Sequence, residues 1–183
     1  MHYALTSRED PKLGLTAEML CRRGIVRLEL RGSSMLPSLW PGDLLSIQSA
    51  SVDEFVPGDI VLVMRDGRSF VHRMIERQQG QDRLWWITKG DAVPRNDAPV
   101  EASELLGRVA GVRRGNRSFI PNRRVSRLRC ALAWMLCRSG HFRSLALRVH
   151  AARLQASATM RASKALFAAE AIGSRALLKT ESE

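Results

Sequence analysis

The sequence predicts a mainly β protein, with a small coiled antiparallel β domain followed by a basic α-helical C-terminal extension. Two patterns support this class. Between residues 24 and 121, short apolar runs of strand length alternate with turn residues, as in small antiparallel domains. After Pro121, apolar residues recur at helical spacing among alanines and arginines. We therefore divide the chain into a helical lead-in (1–23), a β domain (24–121) and a basic amphipathic helical tail (122–183).

The individual elements follow from local patterns. Residues 12–23 predict a short helix with Thr16 as N-cap and Glu18 in the first turn. Residues 25–31 alternate apolar with charged side chains, which is typical of a half-buried strand. Asp66-Gly67 and Gly115-Asn116 each predict a hairpin turn. Further strands are predicted over 44–47, 60–64, 69–77, 84–88, 105–114 and 117–120.

The charge of +11 is concentrated in the C-terminal part of the chain. Residues 1–107 carry 13 basic and 15 acidic side chains, whereas residues 108–183 carry 16 basic and 3 acidic ones. Helices are predicted over 123–138 and 141–179, broken at Ser139-Gly140, with arginine-rich polar faces. Such helices suit an anionic membrane surface, a protein partner or the β domain itself. Nucleic acid is the less favoured partner, because no nucleic-acid-binding signature accompanies the charge.

Several classes of protein are disfavoured by composition. The three cysteines show no metal-ligand spacing and are odd in number, which favours a reducing compartment and predicts neither a metal nor a cofactor. The longest apolar run, 131–137, is far shorter than the ~20 residues of a spanning helix. The first residues lack the apolar core of a secretory signal. We therefore expect a cytoplasmic protein, with peripheral membrane attachment through the tail as an option.

The most informative segment, residues 32–43, reads Gly-Ser-Ser-Met-Leu-Pro-Ser-Leu-Trp-Pro-Gly-Asp. It places Ser34 on a tight turn directly after a predicted strand. A serine becomes a nucleophile when a base reaches its hydroxyl and backbone N–H groups face the developing oxyanion. A turn at the end of a strand can meet both requirements, so Ser34 is a candidate nucleophile.

Downstream segments complete a pattern that resembles the type I signal peptidases and the related SOS-repressor peptidases. Segment 32–43 is similar to their serine box. It is followed by Pro-Gly-Asp-Ile-Val at 57–61, by a strand that carries His72, and by Lys-Gly-Asp at 89–91 with Asp97 six residues further on. A glycine-containing strand at 106–109 closes the resemblance, which covers about residues 25–115. The resemblance implies the signal-peptidase fold and a serine endopeptidase acting on a peptide or preprotein.

The residue at the base position indicates which branch the chain resembles. Most bacterial signal peptidases and the SOS repressors have a lysine there, but none of the four lysines lies near position 72. His72 resembles the Ser–His variant of the endoplasmic-reticulum, archaeal and spore-former enzymes. Histidine suits the role, because its unperturbed pKa of about 6.5 allows it to accept a proton near neutrality.

The resemblance also implies roles for the other site residues. Ser34 attacks the scissile carbonyl, His72 shuttles the proton, and Asp97 orients the imidazole, with Asp91 as the second choice. The backbone N–H of Ser34, with Ser33, holds the oxyanion. Many members have a hydroxyl two residues before the nucleophile where this chain has Gly32, which predicts slow catalysis.

Members of this family bind an extended peptide as an added strand, a mode in which main-chain hydrogen bonds supply the affinity. By resemblance, the groove in this chain is lined by Leu28, Leu30, Arg31, Met35, Phe70 and Val71. Typical members also carry an N-terminal membrane anchor, which the sequence does not predict here.

Two other functions remain open from the residues. A non-catalytic peptide-binding module would keep the β fold while the basic helices dock on a membrane or a partner. A self-cleaving DNA-associated regulator is less favoured. It requires a Ser–Lys dyad, an N-terminal helix pair and an Ala-Gly cleavage site, and the one Ala-Gly, at 110–111, lies in a predicted strand.

Overall fold

The computed structural model describes residues 20, 24–80, 83–142, 144–153 and 155. The chain divides into two units, residues 1–139 and 140–183. The helix predicted over 12–23 lies outside the described residues except for Leu20, and so does the predicted tail from 156 onward.

In the described part of the first unit, seven antiparallel strands form a single sheet, which confirms the predicted mainly β class. The sheet order is β1-β2-β6-β3-β4-β5, and β7 pairs with β6. Each predicted strand is present, with ends that differ by at most two residues. The strands are β1 (Ile25–Glu29), β2 (Leu44–Gln48), β3 (Ile60–Arg65), β4 (Arg68–Gln79), β5 (Leu84–Lys89), β6 (Leu105–Arg114) and β7 (Arg117–Phe119).

The β3–β4 hairpin sets which residues of β4 face the site. Asp66 and Gly67 both have positive φ (50° and 68°), the conformation that a two-residue hairpin turn needs. The resulting register pairs Val61 with His72. Side chains alternate along β4, so Phe70 and His72 share one face of the strand.

Two apolar clusters stabilise the sheet. The first packs under the loop that follows β1, and the second packs between β3, β4 and β5. Burial of this apolar surface is the main driving force for folding, at roughly 25 cal/mol per Å². The buried members of the first cluster are Leu20, Val26, Met35, Leu39, Leu45, Ile47, Ile60, Leu62, Val71, Val109 and Val112. Those of the second are Phe55, Val61, Val63, Met74, Trp86, Val100 and Leu105.

The C-terminal part is helical where it is described. Helix α1 spans Arg127–Arg138 and belongs to the first unit. In the second unit, residues 140–142 and 144–153 are helical, so of the predicted break at Ser139-Gly140 only Ser139 is non-helical. Among the described residues, no helix is both long and apolar enough to cross a membrane.

Candidate active site

The loop between β1 and β2 carries Ser34 and is fixed at both ends. The N–H of Leu30 donates to the carbonyl of Asp43 (2.8 Å), and the N–H of Gly42 donates to the carbonyl of Leu30 (2.7 Å). Met35 and Leu39 are buried in the first apolar cluster. These contacts hold the turn in place and leave the half-buried Ser34 at its surface.

A buried carboxylate fastens the far end of this loop to the sheet. Asp43 is almost fully buried and accepts two hydrogen bonds from the Arg114 guanidinium on β6, at 2.7 and 2.6 Å. Arg114 also donates to the carbonyl of Ser38 (3.2 Å). The Gly-Asp that ends the serine segment therefore closes the loop onto β6.

His72 lies between Ser34 and Asp97. Its Nε2 is 3.0 Å from the Ser34 Oγ, and its Nδ1 is 2.6 Å from the Asp97 Oδ2. The side chains of His72 and Asp97 are 12% and 21% exposed, so the pair is sheltered yet reachable from solvent. The structure thus joins three predicted site residues, which lie 38 and 25 positions apart in the sequence, in one hydrogen-bonded chain.

Thr88, near the end of β5, binds the Asp97 carboxylate at the end of this hydrogen-bonded chain. Its hydroxyl donates to the Asp97 Oδ2 (2.7 Å), and its carbonyl accepts the N–H of Asp97 (2.8 Å). The Thr88 residue is fully buried. Sequence reasoning missed Thr88, because a threonine in a predicted strand looks like any other strand residue; only its place directly before Lys-Gly-Asp was a signal.

Gly90 is required by close packing at the centre of the site. A Cβ at this position would lie 2.7 Å from the carbonyl oxygen of Ser34 and 3.0 Å from the His72 Nε2. The carbonyl of Ser34 also accepts the N–H of Ala92 at 2.7 Å. The Lys-Gly-Asp segment therefore touches both the nucleophile segment and the histidine, and a side chain at position 90 would push them apart.

Asp91 does not contact His72 in the described hydrogen bonds; it forms an ion pair with Arg73. The Arg73 Nε and Nη2 each donate to the Asp91 carboxylate at 2.8 Å, and the two side chains are only 6% and 7% exposed. The Ser38 Oγ donates to the same carboxylate at 2.5 Å. The expected support role for Asp91 thus corresponds to a separate network beside the His72 one.

Arg73 has further acceptors in the backbone. Its Nη1 donates to the carbonyls of Gly58 (2.8 Å), Asn122 (3.0 Å) and Arg123 (3.3 Å). Arg123 in turn pairs with Asp59 at 2.6 Å. We call these contacts the Arg73 clamp. It binds strand β4 to the segment that leads into α1.

The predicted oxyanion residues lie on the turn itself. Ser33 and Ser34 are both half-buried, and Gly32 is exposed. A Cβ at Gly32 would meet nothing within 4 Å, so the position has room for the hydroxyl that the resemblance leads one to expect.

The predicted groove residues divide into two groups. Met35 and Val71 are buried, and their side chains pack in the first apolar cluster. Leu28 and Leu30 pack half-buried against the same cluster, and Arg31 is exposed. Phe70 is half-buried with its ring centroid 5.0 Å from that of His72. Among the described strands, β1 pairs only with β2, so its other edge is joined to no described strand.

The arrangement is suited to nucleophilic catalysis. With Asp97 accepting from Nδ1, the Nε2 lone pair of a neutral imidazole is directed at the Ser34 hydroxyl. A serine and a base within hydrogen-bond reach, with a third group orienting the base, is the signature of an activated nucleophile. No group of His, Cys, Asp and Glu in the described part of the chain is placed to hold a metal ion.

Comparison with known proteins gives one family. A family model described as Peptidase S24-like matches residues 3–110. The matched range includes Ser34, His72 and Asp97 and ends before α1. A search of curated proteins finds no match to the chain.

Proposed function

The chain belongs to the Peptidase S24-like family, since the match covers more than half of its 183 residues, and we propose that it is a serine endopeptidase of the Ser–His–Asp type. Its substrate is an extended peptide or a precursor segment, as in signal peptidases. The observation that carries the proposal is the continuous chain from the Ser34 Oγ through both ring nitrogens of His72 to the Asp97 carboxylate.

The proposed reaction proceeds in two halves. As Ser34 Oγ attacks the scissile carbonyl carbon, its proton passes to His72 Nε2, and Asp97 stabilises the resulting imidazolium. The C–N bond breaks, the leaving amine takes the proton from His72, and an acyl-Ser34 ester remains. Water then gives a proton to His72 and attacks the ester, which releases the new carboxyl end and restores the Ser34 hydroxyl.

The backbone N–H of Ser34, aided by Ser33, holds the oxyanion in both halves. Gly32 adds no hydroxyl to this group, and loss of one such donor costs about 100- to 1,000-fold in rate in other serine enzymes. We therefore propose slow turnover, which suits a dedicated substrate better than bulk protein degradation.

Cleavage in trans is supported by the location of the single Ala-Gly pair. Ala110 and Gly111 lie within β6, which pairs with β2, β3 and β7. Self-cleavage there would require β6 to leave the interior of the sheet. The purified full chain is accordingly expected to keep its mass on incubation.

The direct test compares protein N-termini by mass spectrometry in cells that produce the wild type or Ser34→Ala. New N-termini that depend on Ser34 would establish the peptidase and identify its substrate. The exposed Ser49→Ala is a matched control for loss of a hydroxyl and should leave the pattern unchanged. Identical N-termini in all three strains, with folded and abundant protein, would instead favour the non-catalytic peptide-binding module.

The pH dependence supplies a second test once a substrate is identified. A protonated imidazole does not accept the Ser34 proton, so cleavage should slow as the solution is made acidic. A rate that does not change with pH would remove His72 from the mechanism.

A further inference from the structure

We infer that helix α1 binds the surface of an anionic lipid membrane through its exposed side, where Leu128 and Leu132 form an apolar stripe and Trp134 lies at one border. This inference goes beyond the proposed peptidase activity and does not depend on it. It rests on which side chains of α1 are exposed and on the charge of the surrounding chain.

The exposed face of α1 is apolar at its centre. Leu128 is 83% exposed, Trp134 is 65% exposed and Leu132 is 38% exposed. Leu128, Leu132 and the half-buried Met135 follow the i, i+4, i+7 spacing of one helix face. Ala133, by contrast, is buried and marks the side of α1 that is turned away from solvent. Large apolar side chains therefore concentrate on the solvent side of this helix.

A described arginine borders the exposed side of α1. The Arg138 guanidinium lies over the Trp134 ring, 5.7 Å from its centroid. Arginine stems cover apolar surface while their charged ends reach polar headgroups, and tryptophan favours the same interfacial depth. The face thus combines the residue types that an interfacial helix uses.

The charge around α1 identifies the lipid as anionic. The sequence contains no Asp or Glu between Glu104 and Glu170, a stretch of 65 residues that holds 14 lysines and arginines. Anionic lipids attract such a segment, and each basic residue near the surface adds to the attraction. A nucleic acid would also attract the arginines, but its phosphates offer no apolar layer for Leu128 and Leu132. A membrane surface complements both the charge and the apolar side chains.

The experiment uses the full chain and sedimentation with lipid vesicles. Vesicles of phosphatidylcholine and phosphatidylglycerol in equal parts should bind the protein, pure phosphatidylcholine should bind it at least about tenfold more weakly, and salt should weaken binding to the anionic vesicles. The double variant Leu128→Asn/Leu132→Asn should lose at least about tenfold in affinity for the anionic vesicles. Ile120→Asn is the matched control, since Ile120 is 81% exposed and lies outside α1.

A spectroscopic measurement places α1 at the bilayer. Brominated lipids should quench the tryptophan emission of the wild type, and Trp134→Tyr should remove most of that quenching although three other tryptophans remain. Vesicle binding that is unchanged in the double variant overturns the inference, and so does quenching that is unchanged in Trp134→Tyr. Binding to double-stranded DNA but not to anionic vesicles would assign the surface to nucleic acid. A dimer that the double variant abolishes, without vesicle binding, would assign it to a second copy of the chain.

Discussion

Two neighbouring hydrogen-bond networks in this protein are built from the same three segments. In one, Ser34 of the serine loop meets His72 of β4 and Asp97 of the loop that follows β5. In the other, the same segments contribute Ser38, Arg73 and Asp91. Each network thus has a hydroxyl, a nitrogen base or cation and a carboxylate, and the residues of β4 are adjacent in sequence.

The networks differ in the group at their centre and in their exposure. Imidazole accepts and returns a proton near neutral pH, whereas a guanidinium stays charged and only donates. The Arg73–Asp91 pair is 6% and 7% exposed, against 12% and 21% for His72 and Asp97. The comparison teaches that the alternation of a strand lets one pair of adjacent residues serve two purposes. His72 points to Ser34, whereas Arg73 is buried and binds the segments that hold His72 in place.

The largest effect on activity is expected at Asp97. Asp97→Asn keeps the shape of the side chain but offers an amide to the His72 Nδ1–H, so the favoured tautomer and orientation of the imidazole are lost. By analogy with other triads, kcat should fall by on the order of 10⁴, measured on the substrate that the N-terminal comparison identifies. Thermal unfolding should show a folded protein. Activity within about tenfold of the wild type would remove Asp97 from the mechanism. The first network would then have no catalytic role that distinguishes it from the second.

The largest effect on stability is expected at Asp91. Asp91→Asn leaves the buried Arg73 cation without its counter-charge, and breaking a buried pair in this way costs about 3–5 kcal/mol of unfolding free energy. Urea unfolding measures it. The control is Asp53→Asn, which breaks the exposed Arg77–Asp53 pair (3.4 Å) and should cost under about 1 kcal/mol. Equal costs for the two variants would show that the second network does not fasten the fold.

A smaller effect on rate is expected at Thr88, the positioning residue of the first network. Thr88→Val preserves volume but removes the hydroxyl that donates to Asp97. Loss of a hydrogen bond to a charged group is worth about 1.5–3 kcal/mol, which predicts a fall of about ten- to a hundredfold in kcat with little change in KM. Thr88→Ser restores the donor and should recover most of the rate. Equal losses in the valine and serine variants would assign Thr88 to packing alone.

The smallest effect on stability is expected at the Arg65–Glu104 ion pair. This pair lies outside both networks, so it gives a value against which they can be compared. The hydrogen bond from Arg65 (2.5 Å) lowers the pKa of Glu104 below its ordinary value. Because the folded pKa is the lower one, the pair stabilises the protein above the unfolded carboxyl pKa. That contribution is lost as the pH falls through the folded value. Glu104→Gln should cost under about 1 kcal/mol at neutral pH and should flatten the acid side of the stability curve. If the unfolding free energy of the variant falls with decreasing pH as steeply as that of the wild type, the pKa of Glu104 is not lowered in the folded protein.

The strands and the three joined site residues were predictable because they depend on local pattern and on ordered motifs. The preference for Asp97 over Asp91 rests on the resemblance, since a six-residue spacing within a turn-rich loop does not determine which carboxylate reaches His72. The resemblance places Met35 at the groove, but its side chain packs in the first apolar cluster, a contact that the local pattern of the serine turn does not encode. Thr88 and the partners of Arg73 depend on cross-strand register and on loop carbonyls, which sequence patterns do not encode.

The Arg73 clamp also limits the distance between the candidate active site and α1. Arg73 holds the carbonyls of Asn122 and Arg123, and α1 begins only four residues later, at Arg127. Four residues of extended chain reach at most about 14 Å. If α1 lies on a bilayer as inferred, Ser34 is held close to the membrane surface and meets substrates only in a thin layer of water along it. Peptides that emerge from or lie on that membrane would then have a high local concentration near Ser34. The choice of substrate would depend on this proximity as well as on the fit of the peptide in the groove.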